Sequence, residues 1–288
     1  MSRLLKGKDV TKALNEKNTV VVQQLKEKGI TPTLAIFRVG EKDADLSYEK
    51  GAYKRCEEVG VIIKQYLFSE DVTVDEFYEK LDEANNDPDI HGILVFRPLP
   101  KDRFDDEVLR NRIAPEKDVD GCSNLSLAGI FTNKNLGFAP CTAEAAMAIL
   151  EHYDIDVEGK NVVVIGRSLV IGKPVSMLLL NKNATVTICH TKTKQLSDVC
   201  AKADILICCA GRPGMITREF TNPKQIVIDV GIDWDHKRNK LSGDVLFEEV
   251  EEYVDSITPV PGGVGSVTTA ILVDHVIKAS KRLNKIQD

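Results

Sequence analysis

The stretch Thr258-Pro-Val-Pro-Gly-Gly-Val-Gly-Ser-Val-Thr268 is a loop with almost no side chains that runs into a helical pattern. Its two prolines fix φ and remove N–H donors, and its three glycines permit positive φ, so a flat ligand or a phosphate can come close to the backbone. Apolar positions at helical spacing follow, from Val267 to Val276, so the loop is expected to deliver a helix N-terminus to a site. A second such loop, Gly166-Arg-Ser-Leu-Val-Ile-Gly172-Lys-Pro174, follows the apolar run Val162 to Ile165. Its spacing is not G-x-G-x-x-G. It still offers a tight glycine turn and a glycine at a helix start, where N–H groups can face a pyrophosphate, so dinucleotide binding is expected. The next apolar run ends in Cys189-His-Thr-Lys-Thr193, at the place where a NAD site puts an acid for the ribose hydroxyls. With no carboxylate there and with Arg167, Thr191 and Lys192 close by, the expected cofactor is NADP. Gly166, Arg167, Ser168, Gly172, Thr191, Ile232 and Thr268 form the candidate cofactor set.

These loops need elements to hold them. Val10 to Gly29 reads as an amphipathic helix with a glycine stop, Thr33 to Val39 as a buried strand, and Ser47 to Gly60 as a second helix. Val61 to Leu67, Val74 to Asn86 and Ile90 to Phe96 continue the alternation as strand, helix and strand. Such alternation implies a parallel sheet covered on both faces, with ligands beyond the carboxyl ends of its strands. After Gly137-Phe-Ala-Pro-Cys-Thr142, a helix from Ala143 to Tyr153 opens a fresh series of apolar runs at 161–165, 185–189, 205–209 and 225–230. This series suggests a Rossmann-like domain. The last helix, Val267 to Leu283, is long enough to leave that domain and pack back on the first. The expected organisation is α/β with two domains: 1–142, joined by about 267–288, and a Rossmann-like parallel sheet over 143–266.

A chain of 288 residues with 43% hydrophobic and 28% charged side chains suits two packed globular domains. A net charge of −6 argues against nucleic-acid or anionic-membrane partners, and the absence of a long apolar run makes a cytoplasmic protein the expectation. The seven cysteines make no C-x-x-C pair and most read as buried thiols; Cys141, on a loop, reads as a packing residue, with a site-lining role as the alternative. The five histidines make no metal-ligand pattern, so no metal is expected.

Taken together, Val39-Gly40 with Ser47-Tyr48, Cys56-Glu-Glu-Val-Gly60, His91 to Val95 with Pro98-Leu-Pro100, Lys117-Asp-Val-Asp-Gly121, Pro140-Cys-Thr142, the 166–174 loop and Thr258 to Gly265 resemble the bifunctional methylenetetrahydrofolate dehydrogenase/cyclohydrolases. The resemblance covers essentially the whole chain. It implies an N-terminal α/β/α folate-binding domain, a C-terminal NADP domain, a cleft between them, a homodimer, and tetrahydrofolate one-carbon derivatives as substrates. It also assigns catalytic and folate contacts to Tyr48, which stacks on the folate, and Asp120, which bonds the pterin. Phe96, Pro98, Leu99, Val260, Pro261 and Gly262 complete the candidate substrate-binding set. The family pattern has a proton-transfer lysine four residues after the tyrosine, and this chain has Ala52 there. Where the family usually reads Val-Gln-Leu-Pro-Leu-Pro, this chain reads Val95-Phe-Arg-Pro-Leu-Pro100, so Phe96 replaces the supporting glutamine. The expectation is an NADP-dependent oxidation of 5,10-methylene- to 5,10-methenyltetrahydrofolate with weak or absent cyclohydrolase activity. The alternatives are a fully bifunctional enzyme, in which Lys50, Lys54 or Arg97 serves the hydrolysis, and a non-catalytic folate-binding protein.

Overall fold

Runs such as Ala35-Ile-Phe37 and Val162-Val-Val-Ile165 bury every side chain, which only the interior of a covered parallel sheet allows. A computed structural model describes residues 2–236 and 238–286. In chain order its elements are β1 (Arg3–Leu4), α1 (Gly7–Glu27), β2 (Thr33–Val39), α2 (Asp43–Val59), β3 (Ile62–Phe68), α3 (Val74–Asn86), β4 (Gly92–Val95), α4 (Asp106–Arg112), α5 (Asn124–Thr132) and α6 (Cys141–His152). They continue with β5 (Asn161–Ile165), α7 (Gly172–Asn181), β6 (Thr185–Cys189), α8 (Leu196–Cys200), β7 (Ile205–Cys208), β8 (Ile226–Asp229), β9 (Asp233–Asp235), β10 (Lys240–Ser242), α9 (Phe247–Val250), β11 (Ser256–Ile257) and α10 (Gly265–Leu283). No described helix is long and apolar enough to cross a membrane.

The chain forms two units. The first comprises the described residues up to Lys12 and Thr142–Thr268, and its sheet runs β1-β11-β8-β7-β5-β6 with every pair parallel. The expected block 1–142 is therefore corrected at its start. Arg3 and Leu4 pair with Ser256 and Ile257, and the backbone N–H of Gly7 donates to the Gly262 carbonyl at 2.9 Å, so the N-terminus belongs to the Rossmann-like unit. The second unit comprises Ala13–Cys141 and the described residues from Thr269 on, around the parallel sheet β3-β2-β4. Its core is aromatic. Phe37 stacks on Tyr66 at 4.4 Å and meets Phe77 edge-on at 5.7 Å, and Phe77 meets Phe104 at 5.3 Å. Such pairs add about 0.5–1.5 kcal/mol each beyond the area they bury.

Two buried acids organise the loops at the carboxyl ends of β7 and β8 in the first unit. Asp229 accepts the backbone N–H groups of Gly231, Asp244 and Val245 at 3.0, 3.1 and 2.9 Å, and Asp244 accepts those of Gly211 and Arg212 at 3.2 and 2.7 Å. Burial pushes the Asp229 carboxyl up to about 7 against the lowering pull of these donors, and raises Asp244 as well. An acid whose pKa is raised on folding binds its proton more tightly in the folded state. Its contribution to stability is present below the ordinary carboxylate range and lost as pH rises through about 7. The stability advantage of the wild type over Asp229→Asn, read from urea midpoints, should thus shrink between about pH 4 and neutrality. An advantage that does not change with pH contradicts this.

Candidate active site

In the second unit a buried ion pair sets the position of α2. Arg38, at the end of β2, donates from Nε to Glu49 Oε2 at 2.7 Å and also bonds the Gly40 carbonyl, and Gln65 donates to Glu49 Oε1 at 2.7 Å. Glu49 is thereby locked, and its neighbour Tyr48 is held with it. The Tyr48 ring meets Phe96 edge-on at 5.8 Å. One helical turn after Tyr48, Ala52 is fully buried, whereas Lys50 and Lys54 are exposed. Phe96 is itself held at the end of β4, where its N–H donates to the Phe37 carbonyl at 2.9 Å. A cis Arg97–Pro98 bond follows. Pro98 is exposed, while Leu99 is buried against the aromatic core.

Asp118 builds the second wall. Its buried carboxylate accepts the N–H of Cys122 at 3.0 Å, the N–H of Ser123 at 2.8 Å and the hydroxyl of Ser126 at 2.6 Å, which wraps the chain into a tight loop and starts α5. Gly121 within it has φ +67°, and a Cβ there would strike the backbone of Ala139 and Pro140, so only glycine fits. The loop presents Asp120, whose Oδ2 lies 3.7 Å from Arg97 Nη2. Burial raises the Asp120 carboxyl to about 6, with Arg97 and His275 pulling it down and Asp118 pushing it up. Burial, with Cys141 and Asp120 adding to it, holds the Tyr48 hydroxyl well above its ordinary range. Beneath them, Cys141 Sγ donates to the Val119 carbonyl at 3.2 Å, and His275 Nδ1 lies 2.8 Å from the same oxygen, a contact that needs the proton on Nδ1.

Tyr48, Phe96, Arg97 and Asp120 therefore gather in one unit, and at neutral pH this group offers a carboxylate beside an aromatic ring. His275 is the neighbour that sequence reasoning missed. Its signal was a single polar ring between Val273 and Val276 on an otherwise apolar face. Val260, Pro261 and Gly262 belong to the other unit, as do all the candidate cofactor residues.

In that unit the loop after β5 is shaped by Gly166, which has φ +136° and whose N–H donates to the Cys189 carbonyl at 2.9 Å. A Cβ on Gly166 would strike Cys209, and one on Gly172 would strike the Gly166 carbonyl. Arg167 and Ser168 are exposed, and the Ser168 hydroxyl accepts the Ile171 N–H at 3.2 Å. The turn after β6 is closed by His190 and Thr193: the His190 N–H donates to the Thr193 hydroxyl at 2.9 Å and the Lys192 N–H to His190 Nδ1 at 3.1 Å. This leaves Thr191 and Lys192 exposed in a turn without a carboxylate. Ile232 is 55% exposed, whereas Thr268 is buried with its hydroxyl on the carbonyl of Val264, the residue before α10. A bare glycine cradle flanked by an exposed arginine and lysine fits a dinucleotide phosphate.

The six-stranded parallel sheet with its glycine loop defines a Rossmann-like nucleotide-binding unit, joined in one chain to an α/β unit with a three-stranded sheet that carries the Tyr48–Asp120 group. Residues 5–120 match the catalytic domain, and residues 140–284 the NAD(P)-binding domain, of tetrahydrofolate dehydrogenase/cyclohydrolase. The chain belongs to this family. It is 49% identical over 286 residues, 99% of this chain and 100% of the relative, to the "Bifunctional protein FolD" of Alkaliphilus oremlandii. Among solved structures it resembles the bifunctional enzyme FolD of Campylobacter jejuni, with TM-score 0.94, 38% identity and coverage of 98% of this chain and 99% of that one. It also resembles the methylenetetrahydrofolate dehydrogenase-cyclohydrolase (FolD) of Trypanosoma brucei complexed with NADP and an inhibitor, with TM-score 0.90, 31% identity and 98% of each chain covered.

Proposed function

We propose that this chain oxidises 5,10-methylenetetrahydrofolate to 5,10-methenyltetrahydrofolate, with NADP as hydride acceptor. The observation that carries the reading is the pairing of Tyr48 with Asp120 in the unit that matches the family's catalytic domain. An ionised Asp120 can accept two hydrogen bonds from the amino-pyrimidinone edge of a pterin, and the Tyr48 ring offers a face to the aminobenzoyl group. The nicotinamide, when bound, supplies the two-electron acceptor. What the protein contributes to this step is positioning, because the folate nitrogens stabilise the cation that forms.

For the cofactor, Gly166, Arg167, Ser168, Gly172 and Thr191 would hold the phosphates, and the Trypanosoma brucei relative bound to NADP supports the choice over NAD. A homodimer is part of the proposal. It is supported by the edge strand β3, which leaves Ile62 52% and Leu67 49% exposed.

The hydrolysis of the methenyl product to 10-formyltetrahydrofolate has two readings. The bifunctional name carried by the relatives, with 49% identity in the Alkaliphilus case, favours an enzyme that completes both reactions, and this is the better supported by comparison. The residues at positions 52 and 96 favour weak hydrolysis. Water must add to the bridge carbon and a ring nitrogen must be protonated as it leaves, which a positioned acid/base group typically assists by about 10² to 10⁴-fold. The methyl group of Ala52 supplies none of this, and Arg97 stays protonated and is a poor base. In either reading, hydrolysis in this chain proceeds without a lysine at position 52.

Ultraviolet assays that follow NADP reduction and methenyl decay separately distinguish the two. Hydride transfer is expected, with methenyl compound accumulating during turnover. The paired change Ala52→Lys with Phe96→Gln should speed its decay, and rapid enzyme-dependent decay in the unmodified protein establishes the bifunctional reading. No NADP reduction at all would overturn the proposal. The wild type should also prefer NADP over NAD in kcat/KM, and Arg167→Ala should narrow the preference by about one to two decades, the worth of one charge-assisted hydrogen bond. A wild-type preference for NAD, or no change in the mutant, contradicts the cofactor assignment.

A further inference from the structure

Arg97 stands at the centre of a closed set of contacts that the hydride-transfer chemistry does not require. Its guanidinium reaches Asp106 Oδ1 at 3.3 Å and Asp120 Oδ2 at 3.7 Å. Asp106, at the start of α4, holds Arg110 Nε at 2.9 Å through its other oxygen. Arg110 in turn donates to the carbonyl of Cys122 at 3.0 Å, two residues beyond Asp120. The contacts thus return to the loop from which they began, and α4 serves as the anchor. Arg97 keeps only 18% of its side chain exposed, so it is held in this place.

We propose that Arg97 is a positioning residue for folate: anchored on α4 through Asp106, it keeps the Asp120 carboxylate ionised and oriented to receive the pterin edge. The inference rests on the assignment of Asp120 as the folate carboxylate. The groups that face Asp120 are Arg97 from the loop after β4, Asp118 from its own loop, His275 from α10, Cys141 at the start of α6 and Tyr48 from α2. Cys122 lies close as well. Among these groups Arg97 is the fixed cation, since a guanidinium stays protonated at any working pH. Without it, burial and Asp118 would favour the protonated acid. A protonated carboxyl presents a donor where the amino-pyrimidinone edge also presents a donor, so one of the two hydrogen bonds to the pterin is lost.

The test is the pH profile of KM for 5,10-methylenetetrahydrofolate at saturating NADP, taken from below to above the titration of Asp120, for the wild type, Arg97→Leu, Arg97→Lys and Asp120→Asn. Wild-type KM should rise as pH falls through about 6. In Arg97→Leu the rise should begin about one pH unit higher, so that KM is up by about twofold at pH 7 and by nearly tenfold at about pH 5, because an opposite charge at this range lowers a carboxyl by about one unit or more. The change should lie in KM, with kcat affected far less, and Arg97→Lys should return the profile most of the way. Asp106→Asn, at an exposed position, should move the profile in the same direction by a smaller amount, and it serves where Arg97→Leu fails to fold. If the Arg97→Leu or Asp106→Asn profile superimposes on that of the wild type while Asp120→Asn raises KM, the positioning role is wrong and the folate assignment stands. If Asp120→Asn leaves KM unchanged, the folate assignment itself fails.

Discussion

The ligand-facing loops of this protein are irregular backbone, and their N–H groups must be satisfied without a strand or helix to do it. Buried carboxylates meet that demand in both units. Asp118 gathers the N–H groups of Cys122 and Ser123, and Asp229 and Asp244 gather those of the loops after β7 and β8. Leaving one such group unpaired costs about 1–3 kcal/mol, so each acid fixes several loop residues at once. The rest of the site is built on these fixed points. Asp120 is placed by the Asp118 loop, and the glycine cradle after β5 takes its shape from a sheet whose strand ends are tied in the same way.

Fixed loops suit a reaction that asks chiefly for positioning. Hydride transfer needs the donor carbon and its acceptor held in register, and the chain invests in that. The Arg38–Glu49 pair locks α2, Phe96 supports the ring of Tyr48, and Arg97 backs Asp120. Hydrolysis asks instead for a group that moves a proton. Ala52, one helical turn after Tyr48, and Phe96, which meets the Tyr48 ring, are both buried and apolar and move no proton.

Legibility in the sequence followed the strength of local pattern. β2, β5, β6 and α3 are readable to the residue because buried apolar runs mark β2 and β5, strict alternation marks β6 and a clear amphipathic stripe marks α3. β1 and β11, of two residues each, carry no pattern, and so the membership of the N-terminus in the first sheet could not be read. α4 and α5 carry no clear helical stripe because Val108, Leu125 and Phe131 are exposed. Their caps, Asp105 and Ser123, were the available signal. In the site, the glycine loop stood out by residue type and spacing, whereas Tyr48 and Asp120 were marked only by the family resemblance. The role of Asp118, the core position of Leu99 and the contact of His275 depend on partners far along the chain, which no local window reveals.

Hydrogen–deuterium exchange with each ligand alone tests the central claim that the two units divide the ligands between them. Tetrahydrofolate should slow exchange in the 115–124 loop and along α2 around Tyr48, and leave the 166–173 loop unchanged. NADP should slow exchange at 166–173 and 190–193, and leave 115–124 unchanged. Protection of the 166–173 loop by tetrahydrofolate, with the 115–124 loop unaffected, would contradict the account.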